Sequence, residues 1–491
     1  LLTETKDLKD ECIVLQVFPV FRHFMDNTKK IQTALVCVTT AAILIRLLYA
    51  IPGIMNPELV MRTDSATYLG PALSLLHDGT YSTAAGSGTP ALVRTPLYPL
   101  YLAGLLGISG HSLGFCVFVS ALLGGLIAIP VFLSARLYAS WKASLAAAIL
   151  FALNPTAIAV APMFISDTLF CFFLAFQIFF FLKFIRTQRL VFLFASVAIA
   201  ALALLIRPLN LFWIVPCLFV VWCIRGMPWR KKLRGSLLSL FLFLCILSPW
   251  TIRNHHHGAG WRIDAVSADT ALHNRSALES RLTGIPGEEL RNRYRAEGEA
   301  EFKAHPERYG TPSARFSYFE GKLAEIIKAH PFRYLSLHVR PVVLIPDAAS
   351  FFENLGLTQT GRGTWDIINR HGIIAGIRHY FNGNYLLPCL LAPLLLAAAL
   401  TYLSAFYTLF RALWKKDWMM LLLFLLLAEY YLFMTGPVAM PRYQLAALPF
   451  LCVMAACAAD RFLNRTVNGS GSGSLSPRGS EDASANSGCK I

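Results

Sequence analysis

Residues 167–189 have the sequence DTLFCFFLAFQIFFFLKFIRTQR, an acid followed by a long apolar run and then by basic residues. A bilayer core about 30 Å thick requires ~20 apolar residues in helical conformation, and this run has that length. The basic residues near its end, Lys183, Arg186 and Arg189, mark the cytoplasmic side, because cytoplasmic loops carry an excess of Lys and Arg. The pattern predicts a membrane-spanning helix that begins with Asp167 at the opposite face.

The whole chain has the composition of a membrane protein. Of its 491 residues, 56% are hydrophobic and 15% are charged, and the mean hydropathy is +0.53. Soluble domains carry about 25% charged residues, and the shortfall here comes from long apolar runs. The net charge of +16 lies mainly in short loops between those runs, where basic residues act as topology signals beside an anionic membrane. We therefore expect membrane lipids, and no nucleic acid, as partners.

Several apolar segments are long enough to cross a bilayer. The predicted fold is an all-α polytopic membrane protein with about ten transmembrane helices, amphipathic helices on the outer face and a small helical non-cytoplasmic domain. The predicted spans are about 31–52, 112–137, 142–160, 167–185, 190–206, 208–225, 236–251, 385–410, 418–435 and 442–460.

The loops between these segments are alternately basic, which predicts that both termini are cytoplasmic. The long non-cytoplasmic segment is expected to be helical, because Thr311-Pro312 precedes apolar residues at helical spacing and a polar helix is predicted at about 286–304. The predicted division is a cytoplasmic N-terminal segment 1–30, a seven-span module 31–251 that includes the outer loop 53–111, a non-cytoplasmic helical domain 252–384, a three-span C-terminal module 385–460 and a disordered cytoplasmic tail 461–491.

Two acids stand at the predicted outer face. Asp64 follows the first span, and Asp167 opens the fourth. Each has an ordinary structural interpretation, because Asp167 could interact with a helix dipole and Asp64 could be a solvated loop acid. Their position on the same face, where lipid, protein and water meet, favours a shared functional site.

The same face carries arginines at the ends of spans. Arginine suits bidentate contact with phosphate, and a lipid phosphate would lie at this depth. The alternative is that each guanidinium reaches lipid head groups or pairs with an acid. The candidates are Arg94, Arg207, Arg253 and Arg442.

Short motifs lie in a fixed order around these residues. They are Asp64 with Tyr68, DGTYS at 78–82, RTPLYPLYLA at 94–103, Ser166-Asp167, Arg207-Pro208, PWTIRN at 249–254 and PRY at 441–443. Over about residues 31–460, with seven spans before a long outer domain, the chain resembles the GT-C membrane glycosyltransferases. The resemblance is to the branch that contains bacterial aminoarabinose transferases and protein O-mannosyltransferase-like enzymes.

The resemblance implies a sugar donor on a polyprenyl phosphate at the outer leaflet. It makes Asp64 the general base and Asp167 its partner in positioning, or in coordination of a divalent cation, Mg²⁺ or Mn²⁺. The four arginines would bind the donor phosphate, and the motif tyrosines Tyr68, Tyr81 and Tyr98 would contact substrate. Transfer with inversion requires a carboxylate to take the acceptor proton, and positive groups to stabilise the departing phosphate.

One residue departs from the paired-acid pattern of eukaryotic protein mannosyltransferases, because Ser65 follows Asp64. We therefore expect a lipid or cell-envelope glycan acceptor, and a bacterial inner membrane with the site facing the periplasm. A protein O-glycosyltransferase and an oligosaccharide polymerase or ligase remain open. A transporter of lipid-linked sugars is also open, although it should carry midplane charges, and Glu429 is the exception among spans that otherwise look almost free of charge.

Overall fold

The computed structural model describes residues 7–339, 344–346, 348–357, 364–381, 383, 386–437 and 440–469. These residues are predominantly helical, and extended pairing among them is limited to an isolated antiparallel bridge between Ser82 and Pro90. The prediction of an all-α protein is therefore confirmed.

The helices follow one another along the chain with short connections. In order they are α1 (Asp7–Met55), α2 (Ser65–Asp78), α3 (Leu97–Ile108), α4 (Leu113–Leu126), α5 (Ala128–Arg136), α6 (Trp141–Ala152), α7 (Pro155–Val160), α8 (Asp167–Thr187), α9 (Leu190–Ile206), α10 (Ile214–Cys223), α11 (Trp229–His256), α12 (Val266–Thr283), α13 (Gly287–Ala304), α14 (Pro312–Ala329), α15 (Pro331–Ser336), α16 (Ala348–Glu353), α17 (Thr364–His371), α18 (Ile373–Tyr380), α19 (Leu386–Trp414), α20 (Trp418–Phe424), α21 (Tyr430–Met434) and α22 (Leu448–Gly469).

Five helical stretches among the described residues are long and apolar enough to cross a membrane. They are Lys29–Met55, Leu113–Arg136, Asp167–Thr187, Trp229–His256 and Cys389–Trp414. Four of the other five predicted spans contain shorter apolar helices, and the fifth overlaps α22. The structure therefore supports a membrane protein without fixing the number of spans at ten. One cause is visible at Asn154, whose side chain accepts a hydrogen bond from the Ala157 amide and begins a new helix at Pro155.

The first and last described helices extend beyond the predicted spans. The first helix begins at Asp7 and the last one continues to Gly469, beyond the predicted end of the last span. The remainder of the predicted disordered tail, 470–491, lies outside the described residues. In the segment after α11, the Thr311 hydroxyl accepts a hydrogen bond from the Ala314 amide and caps α14, as the Thr311-Pro312 pair predicts.

Helix α8 lies at the centre of the bundle. It packs against α4, α5, α9 and α22, and its large side chains Phe181 and Phe184 are fully buried. The positions of its two ends are therefore fixed by neighbours on several sides, which holds Asp167 at one end of the bundle.

Arg46 is a fully buried charge inside the first span, so the expectation that Glu429 is the exception among uncharged spans is wrong. Its guanidinium donates hydrogen bonds to the carbonyl oxygens of Ala42 (3.2 Å), Ala152 (3.1 Å) and Phe151 (3.2 Å). The last two carbonyls belong to the end of α6, where a helix leaves its final C=O groups unpaired and favours a cation. Arg46 therefore stabilises the break between α6 and α7.

Replacement of Arg46 by methionine should destabilise the protein by roughly 2–4 kcal/mol, because the buried carbonyls at the end of α6 would lose their donors. Thermal unfolding in detergent micelles measures this change. Arg136→Met is the matched control, because the exposed Arg136 also donates to a carbonyl near a helix end, that of Ala139 at 2.8 Å. Equal stability of Arg46→Met and wild type would contradict this role.

Candidate active site

Asp64 lies directly before α2, where the chain leaves the first span through the 3₁₀ turn Pro57–Val60. Two hydrogen bonds hold this part of the loop against the segment before α8. The Ser65 hydroxyl donates to the Phe164 carbonyl (2.8 Å), and the Phe164 amide donates to the Val60 carbonyl (3.1 Å). Because Phe164 is three residues before Asp167, this docking brings the two acid-bearing segments together.

The Asp64 carboxylate bridges two arginines. Its Oδ1 atom lies 2.8 Å from Nη2 of Arg94, and its Oδ2 atom lies 3.1 Å from Nη2 of Arg442. The side chain of Asp64 is 41% exposed, whereas those of Arg94 and Arg442 are 17% and 11% exposed. Asp64 is thus the most accessible of the three side chains, and the two arginines flank it.

Asp167 is the buried acid of the site. It forms an ion pair with Arg207, and its side chain is only 7% exposed. The Tyr443 ring joins this pair to the first trio, since the guanidinium carbons of Arg207 and Arg442 each lie 5.6 Å from its centre. The structure therefore gathers both predicted acids and three of the four predicted arginines into one cluster.

Tyr68 packs inside the same cluster. The guanidinium carbon of Arg94 lies 4.5 Å from the centre of its ring, and the Tyr68 hydroxyl is 3.1 Å from that of Ser166, beside Asp167. The Tyr98 ring packs edge-on against Tyr68 at 4.9 Å and is almost fully buried. Tyr68 thus contacts the cluster directly, whereas Tyr98 supports it from behind.

Arg253 has a different environment from the other three arginines. It donates to the carbonyls of Ala91 (2.8 Å) and Tyr81 (2.9 Å) and packs against the rings of Tyr81 and Trp250. The Tyr81 hydroxyl donates to the carbonyls of Arg94 and Thr95. In the described structure these two residues hold the loop that carries Arg94, and Arg253 pairs with neither predicted acid.

The two arginines also set the charge state of Asp64. Partial burial disfavours its ionisation, but the charges and hydrogen bonds of Arg94 and Arg442 outweigh that effect, so the pKa of Asp64 lies below its ordinary value. Asp64 is therefore ionised at neutral pH and can accept a proton.

Some residues in and beside the cluster were not predicted from the sequence. Thr67 accepts a hydrogen bond from Nε of Arg94 (2.8 Å), and Tyr443 separates two arginines. Asp264 lies near Arg94 and is buried, which raises its pKa to about 6. Tyr443 stood next to Arg442 in the PRY motif, but no sequence pattern indicated the proximity of Asp264.

The donor set around the two acids does not fit a divalent cation in this arrangement. Both Asp64 oxygens and one Asp167 oxygen face guanidinium groups, whose charge repels a cation. Among the described residues, no group of three or more His, Cys, Asp or Glu side chains could hold a metal ion. We therefore derive no step through a metal at Asp64 and Asp167.

Two solved structures of the Archaeoglobus fulgidus oligosaccharyltransferase resemble this chain. The AglB complex with an inhibitory peptide and a dolichol-phosphate has a TM-score of 0.48 and 12% identity, covering 92% of this chain and 53% of that one. The apo form has a TM-score of 0.47 and 14% identity, covering 90% and 52%. The chain thus spans about half the length of these proteins.

Residues 93–252 match the family model for dolichyl-phosphate-mannose-protein mannosyltransferase. None of the curated proteins matches the sequence. The matched region is about a third of the chain, and it contains Arg94, Asp167 and Arg207 of the cluster. Over these residues, the match confirms the resemblance to protein O-mannosyltransferase-like enzymes that the motifs indicate.

Proposed function

We propose that this protein moves a single sugar from a polyprenyl-phosphate donor to an acceptor hydroxyl at the non-cytoplasmic face of the membrane, with inversion. The observation that supports this most strongly is the bridge formed by Asp64 between Arg94 and Arg442, next to the Asp167–Arg207 pair. It combines an accessible carboxylate with an excess of guanidinium groups.

The charge of the cluster suits a phosphate. Three guanidinium groups and two carboxylates leave one positive charge in excess. Nε of Arg442 is buried and has no hydrogen-bond partner in the described part of the chain, so this side chain retains a free donor. Arginine presents several N–H groups in a plane that matches phosphate oxygens. We assign the donor phosphate to Arg442, Arg94 and Arg207.

The two acids receive different roles because their exposures differ. Asp64, at 41% exposed, can reach an acceptor hydroxyl, whereas Asp167, at 7%, is enclosed with Arg207. Asp64 takes the hydroxyl proton as the acceptor oxygen attacks the anomeric carbon. The bond from that carbon to the phosphate oxygen breaks, and the polyprenyl phosphate leaves with the electron pair. Asp167 keeps Arg207 oriented towards that developing charge.

Donor binding would also change Asp64. Each arginine that turns to the phosphate stops neutralising Asp64, so the proton affinity of its carboxylate rises. In this proposal Arg94 and Arg442 hold Asp64 ionised before the donor arrives and strengthen it as a base afterwards.

We propose further that the acceptor is a lipid or cell-envelope glycan, and that the protein lies in a bacterial inner membrane with the site facing the periplasm. Ser65 after Asp64 supports this choice over a protein acceptor, because the paired acid of eukaryotic protein mannosyltransferases is missing. A transporter would use charged groups within its spans. The buried charge of the first span, Arg46, does not support that function, since it donates hydrogen bonds to backbone carbonyls of α1 and α6.

Replacement of Asp64 by asparagine should slow release of polyprenyl phosphate by about 100-fold or more, because the base would be lost. Purified protein is mixed with short-chain polyprenyl-phosphate hexoses and an extract of envelope lipids, and release is followed by mass spectrometry. Glu58→Gln is the matched control, since Glu58 is an exposed acid of the same loop, and it should stay within about twofold of wild type. Release by Asp64→Asn at the wild-type rate would remove Asp64 as the base, and movement of intact donor across vesicles without cleavage would favour a transporter.

Replacement of Arg442 by glutamine should move the acidic limb of kcat/KM to higher pH. Arg442 helps hold the pKa of Asp64 below its ordinary value, so wild type keeps the ionised base as the pH falls until that lowered pKa is reached. Loss of one positive charge raises the pKa of Asp64, and protonation then begins at higher pH. The profile of kcat/KM reports the free enzyme.

The control for the pH profile is Arg281→Gln, which removes an exposed arginine of α12. Neither Arg442 nor Arg281 is among the groups that shift the pKa of Asp264, so the difference between profiles reports Asp64. An unchanged acidic limb in Arg442→Gln would show that Arg442 does not control the base.

A further inference from the structure

Two arginines of the cluster stand at the beginning of short 3₁₀ turns. Arg207 directly precedes the turn Pro208–Asn210, and Arg442 is the second residue of the turn Pro441–Ala446. Such turns are connectors with weaker hydrogen-bond geometry than α-helices. The direction of each guanidinium therefore depends on what anchors its turn.

A closed ring of three buried side chains anchors the first turn. Nδ2 of Asn210 donates to Oε1 of Gln177 (3.0 Å), Nε2 of Gln177 donates to the Tyr431 hydroxyl (3.4 Å), and that hydroxyl donates to Oδ1 of Asn210 (2.8 Å). All three side chains are fully buried. Each member donates once and accepts once within the ring. Nδ2 of Asn210 also donates to the Ala200 carbonyl (3.1 Å), which fixes the orientation of this amide and with it the direction of the ring.

The ring connects the two partners of the buried ion pair. Gln177 lies on α8, which begins with Asp167, and Asn210 ends the turn that follows Arg207. The Tyr430 hydroxyl adds a hydrogen bond to the Leu209 carbonyl (2.8 Å) in the same turn. The π-helical turn Leu425–Glu429 directly precedes Tyr430 and Tyr431. A π turn holds one more residue than an α turn, and this rotates both tyrosines relative to the preceding helix.

The second turn is anchored in the same way. Gln444 is fully buried and donates to the carbonyls of Ile345 (3.0 Å) and Pro441 (2.9 Å). Its side-chain oxygen accepts a hydrogen bond from the hydroxyl of Tyr402 on α19. Each arginine-bearing turn thus carries one buried amide, and each amide is held by a tyrosine from the C-terminal helices.

We infer that Tyr431 and Tyr402 are positioning residues, which aim Arg207 and Arg442 at the donor phosphate through the buried amides Asn210 and Gln444. This inference rests on the proposed function. It gives the C-terminal helices a role in the reaction, because the Tyr431 hydroxyl fixes the turn after Arg207 and the Tyr402 hydroxyl fixes the turn that carries Arg442.

The first experiment measures donor cleavage by Tyr431→Phe and Tyr402→Phe. Each change keeps the aromatic ring and removes one hydroxyl, so the arginine-bearing turn becomes less firmly held. We expect kcat to fall about tenfold, while KM for the donor changes less than about threefold. Tyr407→Phe is the matched control, because Tyr407 lies on α19 with its ring packed on Phe462, and it should behave as wild type.

The second experiment separates positioning from a general loss of structure. Tyr431→Phe is combined with Arg207→Gln, and Tyr402→Phe with Arg442→Gln, in double-mutant cycles. If each tyrosine acts through its arginine, the tyrosine change costs less than about twofold once the arginine is gone. The inference would be overturned if, in both pairs, the tyrosine change lowered kcat by the same factor with and without the arginine. Wild-type rates in both tyrosine variants would also overturn it.

Gln177→Met is a second route to the same result if Tyr431→Phe does not yield folded protein. It breaks the ring from α8 and should give a similar fall in kcat, and a wild-type kcat would count against the inference. Failure of the proposed function looks different, because wild type would then not cleave the donor or Asp64→Asn would cleave it equally fast. An active wild type, an inactive Asp64→Asn and fully active tyrosine variants would refute the inference alone.

Discussion

The Asp64 carboxylate lies between two guanidinium groups that come from distant parts of the chain, Arg94 and Arg442. Charges at the boundary of an apolar bundle are costly unless they are paired, so this bridge draws the loop 53–111 and the turn before α22 to the same point. The Asp167–Arg207 pair adds the start of α8 and the end of α9. The geometry of the site follows from these pairings.

The sequence predicted the acids because both stand next to long apolar runs, and composition alone set the fold class. Three of the four arginines predicted from the sequence are gathered at the site, and these three, Arg94, Arg207 and Arg442, occupy recognisable motifs at segment ends. Arg253 occupies a comparable motif but pairs with backbone carbonyls. Whether an arginine meets a carboxylate or a carbonyl depends on tertiary packing, which local spacing does not encode.

Other features were beyond sequence reasoning for a similar reason. Arg46 lies inside an apolar run of the sequence. Its structural role is evident only from its hydrogen bonds to the carbonyls at the end of α6. The predicted number of about ten spans is not fixed by the structure, because prolines and asparagine divide apolar runs into shorter helices. The buried ring of Gln177, Asn210 and Tyr431 joins residues more than 250 positions apart, and no local pattern links them.

The central claim is that the arginines around Asp64 bind a phosphate. Calorimetric titration of a short-chain polyprenyl phosphate into wild type, Arg442→Gln and Asp64→Asn tests it directly. The claim predicts at least about tenfold weaker binding by Arg442→Gln, and binding by Asp64→Asn at least as tight as that of wild type, because its two guanidinium groups lose their competing carboxylate. Equal affinity in wild type and Arg442→Gln, together with weaker binding by Asp64→Asn, would contradict it.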